Sequence, residues 1–184
     1  ETKWASSKKL RRHARDFRLS ISSDFAGALE KCRKYHVETN QSTWITPALI
    51  TLLERFRTDP DAGVGVCCFE LWEGHELAAA TFSFLRGRVF HDFTMCTLLR
   101  DHRSAGHVLT KAVGHLIGVA GYTCWYWGFK NPYMAEYDSY GTYHLERPEF
   151  QALWDADTGD VSRAVPKLQE LLSQGQALVQ PMAT

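Results

Sequence analysis

A change of hydrophobic period at about residue 103 is the feature that most restricts the possible folds. Before it stand three strand candidates, Val64–Trp72, Glu76–Leu85 and Arg88–Cys96, whose connections are short enough for hairpins. From Arg103 to Val119 the apolar residues recur at helical spacing, and an aromatic strand candidate, Tyr122–Phe129, follows. Because a strand that re-enters a sheet through a helix runs parallel to its neighbour, the sequence predicts an antiparallel meander followed by a strand–helix–strand crossover.

Helix signals flank this central pattern. Ser6 or Ser7 can cap a helix that runs to about Asp16, and Thr46 before Pro47 is typical of a helix start. The other expected elements are a strand at Phe17–Ser22, a helix capped by Ser23, a short helix from Asn131 to about Tyr140, a helix opened by Arg147, and a helix at Ser162–Gln174. This order is that of the N-acetyltransferase-like (GNAT) fold, an α/β (α+β) architecture whose last parallel strands splay around the acyl donor. We expect one such domain at residues 1–154, with an acidic loop, a helix and a tail at 155–184.

Positive charge is concentrated at the amino-terminal end of a chain whose net charge is zero. Residues 1–18 hold seven basic and two acidic side chains, a surplus of five that the remaining residues balance. Four cations of the first helix share one face at i, i+3, i+4 and i+7, namely Lys8, Arg11, Arg12 and Arg15, and Leu10, Ala14 and Phe17 take the opposite face. A helix face whose charges are all positive is either simply solvated or attracts phosphates. Because no carboxylate is interleaved before Asp16, the pattern favours phosphate binding.

The cysteine, histidine and apolar patterns exclude several classes of protein. The five cysteines, at 32, 67, 68, 96 and 124, include no CxxC pair, and we interpret them as reduced core residues in a reducing compartment. No apolar run approaches the ~18 residues of a membrane helix. The eight histidines show no metal signature, and His107, Lys111 and His115 are expected on a solvated helix face. The chain begins at Glu1 without Met or a signal region, so we expect a processed or trimmed form of a cytoplasmic protein, with an organelle left open.

Five segments, taken in order, carry a family resemblance. They are Ser7–Arg12 with Phe17 and Asp24-Phe25, then Thr43–Thr46, Phe69–Leu77, Gly87–Phe90 with Thr94–Thr97, and Gly141 with Arg147. These segments resemble the basic helix, the Thr-Trp-Ile signature, the Val-Glu-Val-Trp…Gly-Glu-Leu hairpin, the Gly-Arg-Val-Phe…Ser-Met-Phe-Ser stretch and the Ser-Leu-Gly…Arg ending of leucyl/phenylalanyl-tRNA–protein transferases. The resemblance covers about residues 6–154.

The sequence also departs from this family at informative positions. The sequence begins close to the family's basic helix, which in the family follows a small amino-terminal domain. The family has a glutamate just after its Gly-Arg-Val-Phe strand, and by residue count Phe93 takes that position here, with Asp92 beside it. Phe129 and Asn131 take the positions of the family's Asp-x-Gln pair. Trp125–Phe129, with Met134 and Tyr137, instead resemble the arginyl-tRNA–protein transferases. The pattern is that of a divergent branch, with a different amino-acid or acceptor specificity or with no activity.

The resemblance implies an enzyme that moves an amino acid from aminoacyl-tRNA to the amino group of an acceptor protein or peptide, as in N-degron protein degradation. Aminoacyl-tRNA would be the co-substrate, and no further cofactor, metal or membrane is expected. Contacts to acceptor-stem phosphates would come from Lys8, Lys9, Arg11, Arg12 and Arg15. The ester is already activated and an α-amine has a pKa near ~7.7–8.0, so a weak base, orientation and hydrogen bonds to the oxyanion would suffice.

Several side chains are candidates for this chemistry, each with a plainer alternative. The polar candidates for catalysis are Tyr126, Asn131 and Asp92, of which Asp92 would receive the acceptor's amine or is simply a surface acid at a strand end. Trp44 would stack on the terminal adenine or is a core residue that pins its loop. An apolar pocket would be lined by Phe82, Phe93 and Met95, or these three belong to the ordinary core.

Two other functions remain open at this point. An acyl-CoA-dependent N-acetyltransferase requires a Gln/Arg-x-x-Gly-x-Gly/Ala turn that holds a pyrophosphate. The segment Arg103–Val108 satisfies the first half of that motif but has Val at its last small position. The third interpretation is a non-catalytic protein that binds tRNA or particular amino-terminal residues.

Overall fold

A five-stranded sheet organises the protein, and its strands lie side by side in chain order. The computed structural model describes residues 7–59, 61–128, 138, 140–156, 160–176 and 179. In this part of the chain the strands are β1 (Arg18–Ile21), β2 (Gly65–Glu73), β3 (Glu76–Arg86), β4 (Val89–Thr97) and β5 (Cys124–Tyr126). Strands β1 to β4 pair antiparallel, and β5 pairs parallel to β4. The predicted meander and crossover are therefore confirmed.

Six α-helices accompany the sheet within the described ranges. They are α1 (Lys8–Ala14), α2 (Phe25–Glu38), α3 (Pro47–Thr58), α4 (Ala105–Ala120), α5 (Arg147–Trp154) and α6 (Ala164–Ser173), and a 3₁₀ turn (Val161–Arg163) precedes α6. The expected caps Ser7 and Thr46 each accept a backbone N–H, from Leu10 at 3.1 Å and from Leu49 at 3.2 Å. The expected cap of α2 is wrong by one residue, because the carboxylate of Asp24 accepts the N–H of Gly27 at 3.0 Å.

The sheet is covered on both faces, which explains the fully buried runs in its central strands. Helices α1, α4 and α6 cover one face, called here the α4 face, and pack on side chains such as Phe69, Leu85 and Phe90. Helices α2 and α3 cover the other face, called here the α2/α3 face, which is built around Cys68 and Phe82. All five cysteines are buried free thiols, as the sequence predicts.

Three sequence expectations need correction or fall outside the described residues. The last strand is shorter than Tyr122–Phe129, since the N–H groups of Thr123 and Cys124 both bond to Arg88 O and pairing begins only at Cys124. Lys111 is 7% exposed rather than solvated. The helix expected from Asn131 to Tyr140 falls almost entirely on residues that are not described. Among the described helices, none has the length and apolarity needed to cross a membrane.

Candidate functional site

The parallel strands β4 and β5 pair through three residues of each strand. Val89, Phe90 and His91 pair with β5 through Cys124, Trp125 and Tyr126, whereas β4 continues to Thr97 beside β3. Among the described residues, no strand pairs with β4 beyond His91 on this side. We call the edge of β4 at residues 92–97 the β4–β5 slot, and the point where the pairing with β5 ends its vertex.

A β-bulge shapes β4 at this vertex. Phe82 of β3 is opposite Thr94 while Ser83 is opposite Asp92, so Phe93 is an extra residue in β4. The consequence is that His91 and Phe93 lie on the α2/α3 face, whereas Asp92 lies on the α4 face beside Ser83. Bulges of this kind commonly redirect side chains next to functional sites.

An aromatic cluster occupies the α2/α3 side of the vertex. The ring of Phe93 lies 4.6 Å from Phe84, 6.0 Å from Trp44 and 6.4 Å from Phe82, measured between ring centroids. Trp44 is 54% exposed, so it is a surface side chain rather than a core residue. Phe82 is fully buried and supports Phe93 from beneath. Trp44 and Phe93 therefore form the accessible part of this cluster.

His91 is a polar group at the vertex that the sequence analysis did not identify. Its ring is 4.7 Å from that of Tyr126, which in turn is 4.8 Å from Phe150 of α5. Burial lowers the pKa of His91, which keeps its imidazole neutral at pH 7 and able to accept a proton. The available signal was its position next to Asp92, within the strand that precedes the crossover.

Asp92 occupies the α4 side of the vertex, and its environment is unusual for a carboxyl group. Burial raises the pKa of Asp92 to about 7, although a hydrogen bond from Thr81 Oγ1 to Asp92 Oδ1, at 2.6 Å, opposes that shift. The Oγ of Ser83 beside it is fully buried and has no hydrogen-bond partner among the described residues. The pKa of Asp92 therefore lies near neutrality, and its carboxyl faces β3 on the α4 face.

The structure brings some of the predicted site residues together and separates others. Trp44, Phe93 and Tyr126 lie on the α2/α3 face, with Phe82 buried behind them. Met95 lies on the α4 face, where its Sδ accepts a hydrogen bond from Thr110 at 3.7 Å. Met95 consequently does not share a pocket with Phe82 and Phe93. Asn131 lies outside the described residues, as do Phe129, Met134 and Tyr137.

Helix α1 presents its basic residues to solvent, as its periodicity predicts. The exposed cations are Lys8, Lys9, Arg11, Arg12 and Arg15. Leu10 and Ala14 are buried against the core of the α4 face, and the buried His13 holds its Nδ1 3.2 Å from the carbonyl oxygen of Arg103. The helix is thus fastened to the segment that leads into α4.

Arg103 anchors this segment through carboxylates of the protein itself. Its guanidinium bonds both oxygens of Glu73 and donates from Nε to Asp101 at 2.7 Å, and Asp16 lies 3.8 Å away. The following turn is tightly packed, because a Cβ at Gly106 would lie 2.4 Å from Thr97 Oγ1. The turn that resembles an acyl-CoA motif therefore uses its arginine for internal ion pairs.

The polar side of α4 is partly covered. The Nζ of Lys111 lies 4.5 Å from the ring of Tyr140, and the hydroxyl of Tyr140 is hydrogen-bonded to Nδ1 of His107. Burial lowers the pKa of Lys111. His115 remains exposed as expected. Across the residues that are described, no group of three or more His, Cys, Asp or Glu side chains could hold a metal ion.

Comparison with known proteins identifies the family. The sequence model of the family described as leucyl/phenylalanyl-tRNA protein transferase matches residues 1–155. A leucyl/phenylalanyl-tRNA–protein transferase of Solidesulfovibrio magneticus is 26% identical over 128 residues, which cover 60% of this chain and 50% of that protein. The chain thus spans about half the length of this relative. Because the match covers most of the sequence, the chain belongs to the leucyl/phenylalanyl-tRNA–protein transferase family.

Proposed function

We propose that this protein transfers an amino acid from aminoacyl-tRNA to the amino group of an acceptor protein or peptide. The observation that carries the proposal is the pairing of His91 with Tyr126 at the vertex, with Asp92 on the opposite face of the sheet, in a domain whose first helix and its cap expose five cations. Family membership and the name of the relative support the same reaction. We also propose the GNAT-like version of the α/β fold, which the parallel pair after a helical crossover and the short length of that pair support.

The position of α1 suits a tRNA whose 3′ end passes the end of β4 and reaches the α2/α3 side of the vertex. Helix α1 is fastened to Arg103, and Gly106, three residues further on, packs against Thr97 at the end of β4. Phosphates of the acceptor stem would bind the basic face without sequence preference. The single-stranded 3′ end would then reach toward the vertex, where the exposed ring of Trp44 is suited to stack on the terminal adenine.

The reaction is the attack of an amine on an ester. The acceptor nitrogen forms a bond to the aminoacyl carbonyl carbon, the bond from that carbon to the 3′ oxygen of the tRNA breaks, and one proton moves from the nitrogen to the leaving oxygen. His91, neutral at pH 7, is suited to accept that proton and return it to the leaving oxygen. Tyr126 is suited to donate a hydrogen bond to the oxyanion. Asp92 is suited to receive the acceptor's ammonium group, which loses one proton to solvent before the neutral nitrogen attacks.

The same site suggests which aminoacyl side chain the protein accepts and which co-substrate the reaction needs. Phe93 and Phe84 form an apolar wall beside Trp44 that suits an apolar aminoacyl side chain. The ester supplies its own activation, so the proposed reaction uses no cofactor beyond aminoacyl-tRNA. We propose a reducing compartment, the cytoplasm first, because five buried thiols are retained as free cysteines.

The experiment is incubation of the protein with a pool of labelled aminoacyl-tRNAs and peptides that differ in their first residue. We expect label to appear on peptides with a free amino terminus and not on their Nα-acetylated counterparts. Transfer to none of the peptides would remove the enzymatic proposal. Salt-sensitive tRNA binding without transfer would indicate a non-catalytic binder, and thermal stabilisation by acetyl-CoA but not by tRNA would indicate an N-acetyltransferase.

A further inference from the structure

The outer edge of β4 presents backbone hydrogen-bonding groups to the slot. In an antiparallel pair, alternate residues bond to the partner strand and the residues between them point away from it. Leu98 N bonds to Ala78 O at 2.9 Å, and the register continues with Cys96 opposite Ala80. Met95 and Thr97 therefore direct their N–H and C=O groups away from β3, into the slot. No described residue pairs with this edge.

An open strand edge of this kind is a template for a further strand. It offers alternating donors and acceptors at the spacing of an extended polypeptide, about 3.3 Å per residue. A polynucleotide backbone does not match it, because phosphate oxygens accept hydrogen bonds and would face the outward carbonyl oxygens of Met95 and Thr97. The chemistry of the edge thus favours a peptide.

The position of Asp92 at the vertex indicates which terminus of a peptide would lie at that end of the β4 edge. The carboxyl of Asp92 lies on the α4 side of the vertex, where the pairing of β4 with β5 ends, and it is the acidic side chain nearest in sequence to the outward-facing residues. A free amino terminus is the one cationic group that every unmodified polypeptide carries at its end. Charge complementarity with Asp92 would therefore place the first residue at the vertex and the following residues along β4.

We infer that the amino-terminal residues of the acceptor add to the sheet as a strand beside Met95 and Thr97, parallel to β4, with the terminal amine at Asp92. The inference rests on the proposed function and specifies how that site holds its acceptor. Such pairing recognises backbone rather than side chains, so the acceptor must have an extended, unstructured amino terminus. The amine would then lie at the vertex, between Asp92 on the α4 face and His91, the proposed base, on the α2/α3 face.

The first test uses the position of backbone N–H groups in the peptide. In a parallel pairing, only alternate residues of the added strand direct their N–H toward β4. A series of acceptor peptides of one sequence, each with a single N-methyl group at residue 2, 3, 4 or 5, is therefore compared by fluorescence anisotropy and by the KM of transfer. We expect methylation at alternate positions to weaken binding at least tenfold and methylation at the positions between them to change it less than twofold. Equal effects at all positions, or none, would overturn the inference.

The second test concerns the amine. The wild-type protein should bind the free-amine peptide about tenfold more tightly than its Nα-acetylated form, and Asp92→Asn should remove that difference. A difference that persists in the variant would overturn the placement of the amine at Asp92. If all N-methyl peptides are aminoacylated equally well, strand addition fails while the proposed function stands. An alternating pattern in binding without any transfer would support strand addition and contradict the proposed function.

Discussion

Thr81 donates its hydroxyl hydrogen to Asp92 Oδ1 across the β3–β4 pair at 2.6 Å, and the two side chains share the α4 face of the sheet. One hydrogen bond does not offset the burial of the carboxylate, so the pKa of Asp92 rises to about 7. The same hydroxyl lies 3.3 Å from the carbonyl oxygen of Thr94, to which it can donate once Asp92 is protonated. The pair therefore has a hydrogen-bond arrangement available in each protonation state.

Asp92 should make the folded state less stable as the pH rises. Below pH ~4 the carboxyl is protonated in both the folded and the unfolded chain. Between the unfolded pKa and the folded value of about 7, only the unfolded chain ionises, so stability falls across this window and then levels off. We expect Asp92→Asn to remove a loss on the order of 2 kcal/mol between pH 5 and pH 8, measured by urea denaturation. The exposed Asp61→Asn is the control, and an unchanged pH dependence in Asp92→Asn would contradict the assignment.

The basic face of α1 should determine the salt dependence of tRNA binding. Replacement of Lys8, Arg11, Arg12 and Arg15 by Gln should lower affinity and reduce the slope of log K against log salt by about 0.7–0.9 for each lost phosphate contact. The matched control replaces exposed cations elsewhere, Lys34, Arg55 and Arg163. Filter binding over a salt series gives both slopes. Unchanged affinity in the α1 variant would exclude α1 as the RNA-binding surface.

Arg103 should contribute more to stability than an ordinary surface arginine. Arg103→Met leaves Glu73 and Asp101 without their partner and loosens the attachment of α1. Arg57→Met is the control, because Arg57 pairs with Glu54 within one exposed helix face and such pairs contribute little. We expect the melting temperature to fall by several degrees in Arg103→Met and to change little in Arg57→Met. Similar melting temperatures for the two variants would contradict this view.

The two hairpin glycines of the meander should respond differently to the same substitution. Gly74 and Gly87 have φ values of +57° and +55°, so Ala strains both turns, by roughly 1–2 kcal/mol. A Cβ at Gly74 meets nothing within 4 Å, whereas at Gly87 it would lie 2.4 Å from the carbonyl oxygen of Leu153 in α5. Urea denaturation should therefore show a clearly larger loss for Gly87→Ala. Equal losses would mean that α5 does not pack on this turn.

His91 should set the acidic limb of the pH–rate profile. Its imidazole must be neutral to accept a proton, and burial lowers its pKa, so transfer should decline only as the pH falls below the usual range of histidine. His91→Gln should lower kcat by about 10²-fold, the usual contribution of a general base, and remove that limb. The profile is measured at saturating peptide, with Asp92→Asn as the comparison. A His91→Gln profile identical in shape to the wild type would exclude His91 as the base.

Local chemistry accounts for the parts of the fold that were predictable. The short hairpin connections of β2 to β4, the helical stripe of α4 and the Ser7 and Thr46 caps depend on residues close together in the chain. Trp44 and Asp92 could be selected as candidates because an aromatic ring and a carboxyl are suited to the chemistry that the resemblance implies. Their surroundings were not predictable, since these depend on which strands are neighbours and in what register.

The sequence by itself determined the meander, the crossover and the cationic face of α1, because hydrophobic period, turn residues and helical spacing are properties of contiguous segments. Only the tertiary structure decided that Phe93 is a bulge residue, that Met95 and Phe82 lie on opposite faces, that Lys111 is covered, and that His91 stands at the vertex. The physical reason is that a shift of one residue in strand pairing reverses the face of every side chain that follows. That register depends on contacts between distant segments, which a linear pattern does not specify.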